Sequence, residues 1–250
     1  MKIIVPMVFS NTEIEAGGKY IKPLYEIERR TILEHVVGKL SEVHEAKFVF
    51  IIHQKDVAAY HLDNVLAMLC PDCEIVVAKG KTHGSACSCL LAIEQINENA
   101  PLLVAGVDKY LDIDINEAIQ YFETKNLDAG AVVFDDIHPQ WSYVALDEDG
   151  LVVEAQEKNP ISRNACAGVF YYHQGKDFVQ AVMRMIKKGA VTNGQYYVAP
   201  AFNELILQGK RIGVYKIDRD QYYSFTSEKG MPMALQMTAS PSFFWKGDES

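Results

Sequence analysis

The sequence predicts an α/β protein built on a mostly parallel sheet with helices on both faces. Two observations predict it. Over the first 126 residues short apolar runs alternate with segments of helical period, and parallel strands require crossovers of that kind. After Ala129 the pattern changes to short strands separated by turn residues, which extends the sheet into a mixed one.

The first strand is expected at residues 2–8, followed by a helix at 31–42, a strand at 46–53 and a helix at 57–69. The same rhythm gives a strand at 73–78, a helix at 85–94, a strand at 101–107 and a helix at 115–126. Strands at 129–134, 143–146, 152–155 and 167–173 form the β-rich part, with Asp147-Glu148-Asp149-Gly150 marking one turn. Helices at 176–188 and 198–208 and a strand at 211–216 complete the pattern, and the aperiodic tail 238–250 is expected to fray. No repeat, linker or low-complexity block divides the chain, so one domain is expected over 1–250.

Of the 250 residues, 49% are hydrophobic and 23% charged, the balance of a folded globular chain. A net charge of -9 with no basic cluster repels polyanions and excludes nucleic acid and acidic membrane as partners, whereas a small anionic ligand needs only a few lysines. The N-terminal apolar run is too short for a signal segment and no stretch has spanning length, so a cytoplasmic protein is expected. Five cysteines in such a chain are expected as thiols. A zinc site from Cys70, Cys73, His83 and Cys87 or Cys89 is the sharper alternative, but it lacks a second tight pair of ligands.

In an open parallel sheet the ligand crevice lies beyond the carboxyl ends of the strands. The loop after the first strand, the turn Thr82-His83-Gly84-Ser85 and Asp108 all fall there. Asp108 follows an apolar strand, a place that suits Mg²⁺ bridging substrate phosphates, while Asp114 is read as the cap of the next helix. Gly84 before a helix lets a backbone approach a ligand closely, and an ordinary capped turn explains the same residues. Lys22 and Lys158 fit a phosphate contact or a solvated surface, and for a lysine at a strand or loop edge the second is the usual case.

Taken in order, Lys22-Pro23-Leu24, Thr82-His83-Gly84-Ser85-Ala86, the segment 101–114, His138-Pro139-Gln140-Trp141-Ser142, Glu154-Ala155-Gln156-Glu157-Lys158, and Tyr196-Tyr197-Val198 with Asn203-Glu204-Leu205-Ile206 resemble the sugar-1-phosphate nucleotidyltransferase family. The likeness runs from Met1 to about Leu235 and is nearest the bacterial branch of capsule and lipopolysaccharide synthesis. It implies a GT-A-like, Rossmann-type three-layer sandwich with a mostly parallel central mixed sheet. It also implies Mg²⁺-assisted transfer of an NMP group from an NTP to a sugar-1-phosphate, with pyrophosphate released. Residues 1–128 would hold the nucleotide and 129–237 the acceptor. By position, Lys22 would touch a nucleotide phosphate, and Pro6, Val8, Thr82, Gly84 and Ser85 would line the nucleotide. Asp108 would hold the metal, Lys158 the sugar phosphate, Glu157 a sugar hydroxyl, and Trp141 and Gly168 would adjoin the substrate. Lys22, Asp108 and Lys158 are the catalytic set so implied.

Two departures stand out. The family's glycine-rich loop with its arginine reads here Pro6-Met7-Val8-Phe9-Ser10-Asn11-Thr12-Glu13, so Glu13 would face a triphosphate with the wrong charge. Near the C-terminus Ser224 stands where many members carry a second metal aspartate. These departures keep a non-catalytic nucleotide-sugar-binding or interaction protein as the second reading. Asp112-Ile113-Asp114 supports a third, a GT-A glycosyltransferase. The choice of base and sugar, and assembly into a homo-oligomer, are left open by the sequence.

Overall fold

A computed structural model describes residues 1–8, 21–27 and 29–225. Phe9, Ser10 and Glu13 of the first loop, residues 226–228 and the tail 238–250 lie outside the described residues.

In chain order the elements are β1 (Lys2–Pro6), β2 (Glu26–Ile27), β3 (Arg30–Thr31), α1 (Ile32–Leu40), β4 (Lys47–His53), α2 (Gln54–Tyr60), α3 (Leu62–Leu69) and β5 (Glu74–Ala78). There follow α4 (Ser85–Leu90), α5 (Ile93–Ile96), β6 (Leu102–Ala105), β7 (Lys109–Leu111), α6 (Ile115–Thr124), β8 (Ala129–Asp135), β9 (Ser142–Leu146) and β10 (Val152–Glu157). The last are β11 (Asn164–Tyr172), α7 (Gly175–Lys188), α8 (Phe202–Ile206), β12 (Ile212–Lys216) and β13 (Tyr222–Ser224).

Nine strands form one mixed sheet in the order β10-β9-β11-β6-β1-β4-β5, with β8 also paired to β11 and β12 paired to β8. Strands β6, β1, β4 and β5 run parallel, so their carboxyl ends share one edge. Strand β11 is antiparallel to β6 and ties the β-rich part of the chain into the same sheet.

Alternation along the strands builds a core on each face. Ile3, Val5, Phe50 and Ile52 pack with α1, α3 and α6, while Ile4, Val49 and Ile51 pack with α4, α7 and α8. Burial on both faces is why these strands read as continuous apolar runs rather than alternating ones. Helix α1 starts at a capping box, in which Thr31 and Glu34 each satisfy the other's backbone amide. Helix α7 stops at Gly189 in the left-handed region, φ 66°.

Several expected helices are broken. The helix expected at 57–69 is two, α2 and α3, because His61 takes a left-handed conformation and its carbonyl turns to Asn64 and Val65. The helix at 85–94 divides into α4 and α5, and that at 198–208 opens with a 3-10 turn, Ala199–Ala201. The ladder of β7 with β13 adds two strands that the sequence pattern does not mark, since three-residue strands carry no usable period.

Candidate active site

Asp108 stands three residues past the end of β6, on the edge where the parallel strands finish. Strand β7 leaves at once and pairs with β13, setting Lys109 opposite Ser224. The Asp108 carbonyl accepts the Phe225 amide at 2.9 Å, which fixes the junction.

Lys109 occupies the centre of this junction. Its Nζ lies 3.0 Å from Asp108 Oδ2 and 3.4 Å from Ser224 Oγ, and 5.8 Å from the centre of the Trp141 ring. The side chain is 16% exposed and that of Asp108 26%. Burial acts to lower the Lys109 pKa, but Asp108, Tyr222 and Glu157 act to raise it and prevail, so the ammonium stays charged. The stem lies against Gly168, where an added Cβ would stand 2.9 Å from Lys109 Cγ. Gly168 has φ +81° and falls where the β11–β8 register shifts between Cys166 and Phe170. In the described structure Gly168, expected beside the substrate, therefore makes room for Lys109.

Trp141 is 6% exposed, packed on Phe134 and Tyr222, with Nε1 donating to Asp136 Oδ2 at 3.1 Å. It forms a wall of the site and leaves little ring surface for a ligand. Glu157, at the end of β10, is 7% exposed. The Ser142 hydroxyl donates to its Oε2, and no described residue donates to Oε1. Burial pushes the Glu157 pKa up, against the Ser142 hydrogen bond and the charges of Lys158 and Lys109.

Lys158 follows with a left-handed backbone, φ 55°, just past the end of β10. Its amide donates to the Trp141 carbonyl at 2.9 Å, and its Nζ donates to the Tyr197 hydroxyl at 3.0 Å. The neighbouring Tyr196 clasps the expected nucleotide turn: its amide donates to His83 O at 2.7 Å and its carbonyl accepts from Ala86 at 3.1 Å. Gly84 has φ +106° and touches the Tyr196 backbone. Thr82 Oγ1 is spent on Ser88 Oγ at 2.6 Å, and Ser85 opens the six-residue helix α4. With the Ala86 amide engaged by Tyr196, the turn presents no fan of open amides, and the space a Cβ of Gly84 would fill is taken by the Tyr196 backbone.

Asn203 holds this arrangement from below, bonding both backbone groups of Ala155 at 2.9 and 2.8 Å and so fixing α8 to β10. Lys22 stands in a 3-10 turn, Lys22–Leu24, that leads into β2. Pro6 closes β1 opposite Ile51, and Val8 is buried two residues on.

Contacts thus join Gly84 to Tyr196, Tyr197 to Lys158 and Lys109 to Asp108, and the charges of Lys158 and Lys109 both act on Glu157. Lys109, Ser142 and the tyrosine pair were given no role in the sequence reading. The adjacency of a lysine to Asp108 at a strand end was the one signal for the first.

The donors around Asp108 do not fit a resident Mg²⁺. One carboxylate oxygen faces an ammonium, and a serine hydroxyl stands in place of a second acid. Among the described residues no three His, Cys, Asp or Glu side chains gather as metal ligands, which also removes the zinc alternative. Burial pushes the Cys70 thiol up to about 11, with Cys73 adding to the rise. Asp114 Oδ1 accepts the Asn116 amide at 2.9 Å as the cap of α6, so the Asp112-Ile113-Asp114 spacing serves a helix start and not a metal clamp.

The fold and this edge define an α/β protein with a mostly parallel mixed sheet, flanked by helices, whose candidate site lies where the parallel strands finish. No family model matches the sequence. A bifunctional protein GlmU from Lactobacillus helveticus (strain DPC 4571) is 25% identical over 210 residues, covering 80% of this chain and 43% of that protein. This chain therefore spans less than half of that relative's length. A nucleoside-diphosphate-sugar pyrophosphorylase from Vibrio cholerae RC9 superposes with a TM-score of 0.79 at 21% identity, over 94% of this chain and 100% of the other. A Bacillus anthracis protein described as a glucose-1-phosphate thymidylyltransferase superposes with a TM-score of 0.74 at 16% identity, over 98% and 97%. In sequence the chain resembles that GlmU protein, and in fold it matches these two solved structures. Among the described residues no helix is long and apolar enough to cross a membrane.

Proposed function

We propose that the chain transfers an NMP group from an NTP to a sugar-1-phosphate or a similar phosphorylated acceptor, with residues 1–128 holding the nucleotide and 129–237 the acceptor. The observation that carries this is the pair of lysines whose charges act on the buried Glu157 carboxylate: Lys158, held by Tyr197 at 3.0 Å next to the turn that Tyr196 clasps, and Lys109, held by Asp108 at 3.0 Å. The relatives' described activities support it.

In this reading an acceptor phosphate oxygen attacks the α-phosphorus, the bond to the β-phosphate oxygen breaks, and pyrophosphate leaves with the electron pair. No covalent intermediate with the protein forms. Its residues align two anions and offset their charge. Lys22 and Lys158 bind phosphates, Glu157 Oε1 accepts a hydrogen bond from a sugar hydroxyl, and the turn of Thr82 and Gly84 adjoins the base or ribose. The site does not fit resident Mg²⁺, and no step is assigned to it. Free thiols and the absence of a basic surface cluster suit a cytoplasmic enzyme with small-molecule partners, in line with a place in polysaccharide synthesis.

Ser224 in place of an acid, with Lys109 beside it, favours one other reading: a protein that binds a nucleotide-sugar without catalysis. Incubating the protein with each NTP and a panel of sugar-1-phosphates while following pyrophosphate release separates the two. Release that requires both substrates establishes the transfer. A melting-temperature rise with a nucleotide-sugar, without pyrophosphate chemistry in either direction, establishes binding alone.

A further inference from the structure

We infer that Lys109 is the resident cation of this site, standing where a divalent ion would otherwise be held, and that phosphate binding here is independent of divalent metal. The inference rests on the reading of the site as one for phosphorylated ligands.

Position is the first argument. The ammonium sits between Asp108 Oδ2, which the family resemblance assigns to the metal, and Ser224 Oγ, which stands where many members carry a second metal aspartate. Two of its three N–H donors go to these oxygens, and the third is left for a phosphate oxygen.

Construction is the second. A lysine stem reaches this point only because Gly168 and Gly106 carry no side chain. A Cβ on Gly168 would stand 2.9 Å from Lys109 Cγ, and one on Gly106 would stand 3.0 Å from Asp108 Oδ1 and 3.4 Å from Lys109 Cγ. The amide of Gly106 donates to the Gly168 carbonyl at 3.1 Å, locking the two glycines around the stem. The β7–β13 ladder fixes the same stem from its other end.

Charge is the third. Two acids, Asp108 and Glu157, are matched by two ammonium groups, Lys109 and Lys158. Ser224 adds no negative charge, so a divalent ion would enter a site already balanced and would meet Lys109 at close range.

Two measurements test this. Titration of Mn²⁺ followed by electron paramagnetic resonance, on the wild type and Asp108→Asn, needs no nucleotide. The expected result is the same free Mn²⁺ in both at millimolar concentration, and Mn²⁺ binding that Asp108→Asn abolishes overturns the inference. Melting curves with sodium pyrophosphate and with nucleotide-sugars, in EDTA and in magnesium chloride, read the second part. The expected rise is equal in both media, and Lys109→Met weakens the ligand at least about tenfold. A rise that requires magnesium, or that survives undiminished in Lys109→Met, overturns it. The double variant Asp108→Asn/Lys109→Met removes the carboxylate left unpaired, so the loss is read on a folded protein. If neither ligand raises the melting temperature the proposed function fails, while the Mn²⁺ titration still decides the place of Lys109.

Discussion

Gly84 and Tyr196 meet backbone to backbone: a Cβ added to Gly84 would stand 2.3 Å from the Tyr196 carbonyl oxygen and 2.7 Å from its nitrogen. With φ +106° as well, the position admits glycine alone. Gly84→Ala is expected to cost about 1–3 kcal/mol, a fall of roughly 2–4 °C in melting temperature for each kcal/mol. Because Tyr196 adjoins the Lys158 partner Tyr197, calorimetry with the best ligand should show weaker binding beyond the loss of stability.

Gly168→Ala tests the seat of Lys109. The variant combines a left-handed backbone with a Cβ 2.9 Å from the lysine stem, so destabilisation of about 1–3 kcal/mol is expected in urea denaturation. A flexible stem gives way more cheaply than backbone, so the cost should fall below that of Gly84→Ala.

Glu157 gives a pH dependence. Its folded pKa is raised from the ordinary 4.5, chiefly by burial, so its relative stabilisation is fully present below that value and is lost as pH rises through the folded pKa. Denaturation of the wild type and Glu157→Gln at about pH 4 and about pH 7 should therefore show the wild type losing ground at the higher pH. A wild-type advantage that grows with pH would mean that Lys158, Lys109 and Ser142 outweigh burial.

Lys158 is exposed and held by Tyr197, so its removal should act on ligand and not on fold. Lys158→Gln is expected to leave the melting temperature within about 2 °C, since surface changes rarely exceed about 0.5 kcal/mol. The same change should weaken a phosphorylated ligand by about tenfold, the scale of one charge-assisted hydrogen bond. Isothermal titration gives both the affinity and, with Tyr197→Phe, the share owed to the tyrosine.

Much of this was legible before any coordinates. The alternation of apolar runs with helical segments is a local property, and it placed β1, β4, β5, β6 and α6 within a few residues. Asp114 announced itself as a cap because capping joins a side chain to an amide two residues on. The breaks in the helices were hidden because His61 reaches its left-handed turn with no glycine or proline to mark it.

By itself, then, the sequence determined the strand and helix order, the apolar faces and the carboxylate at the end of β6, all of which arise from contacts a few residues apart. Only the tertiary structure decided what that carboxylate faces. Lys109 and Ser224 are 115 residues apart and meet through a ladder of three-residue strands, and Gly168, from a third strand, clears the space for the lysine stem. A site assembled from such distant segments has no period or spacing to betray it, because its geometry exists only once the sheet has closed around it.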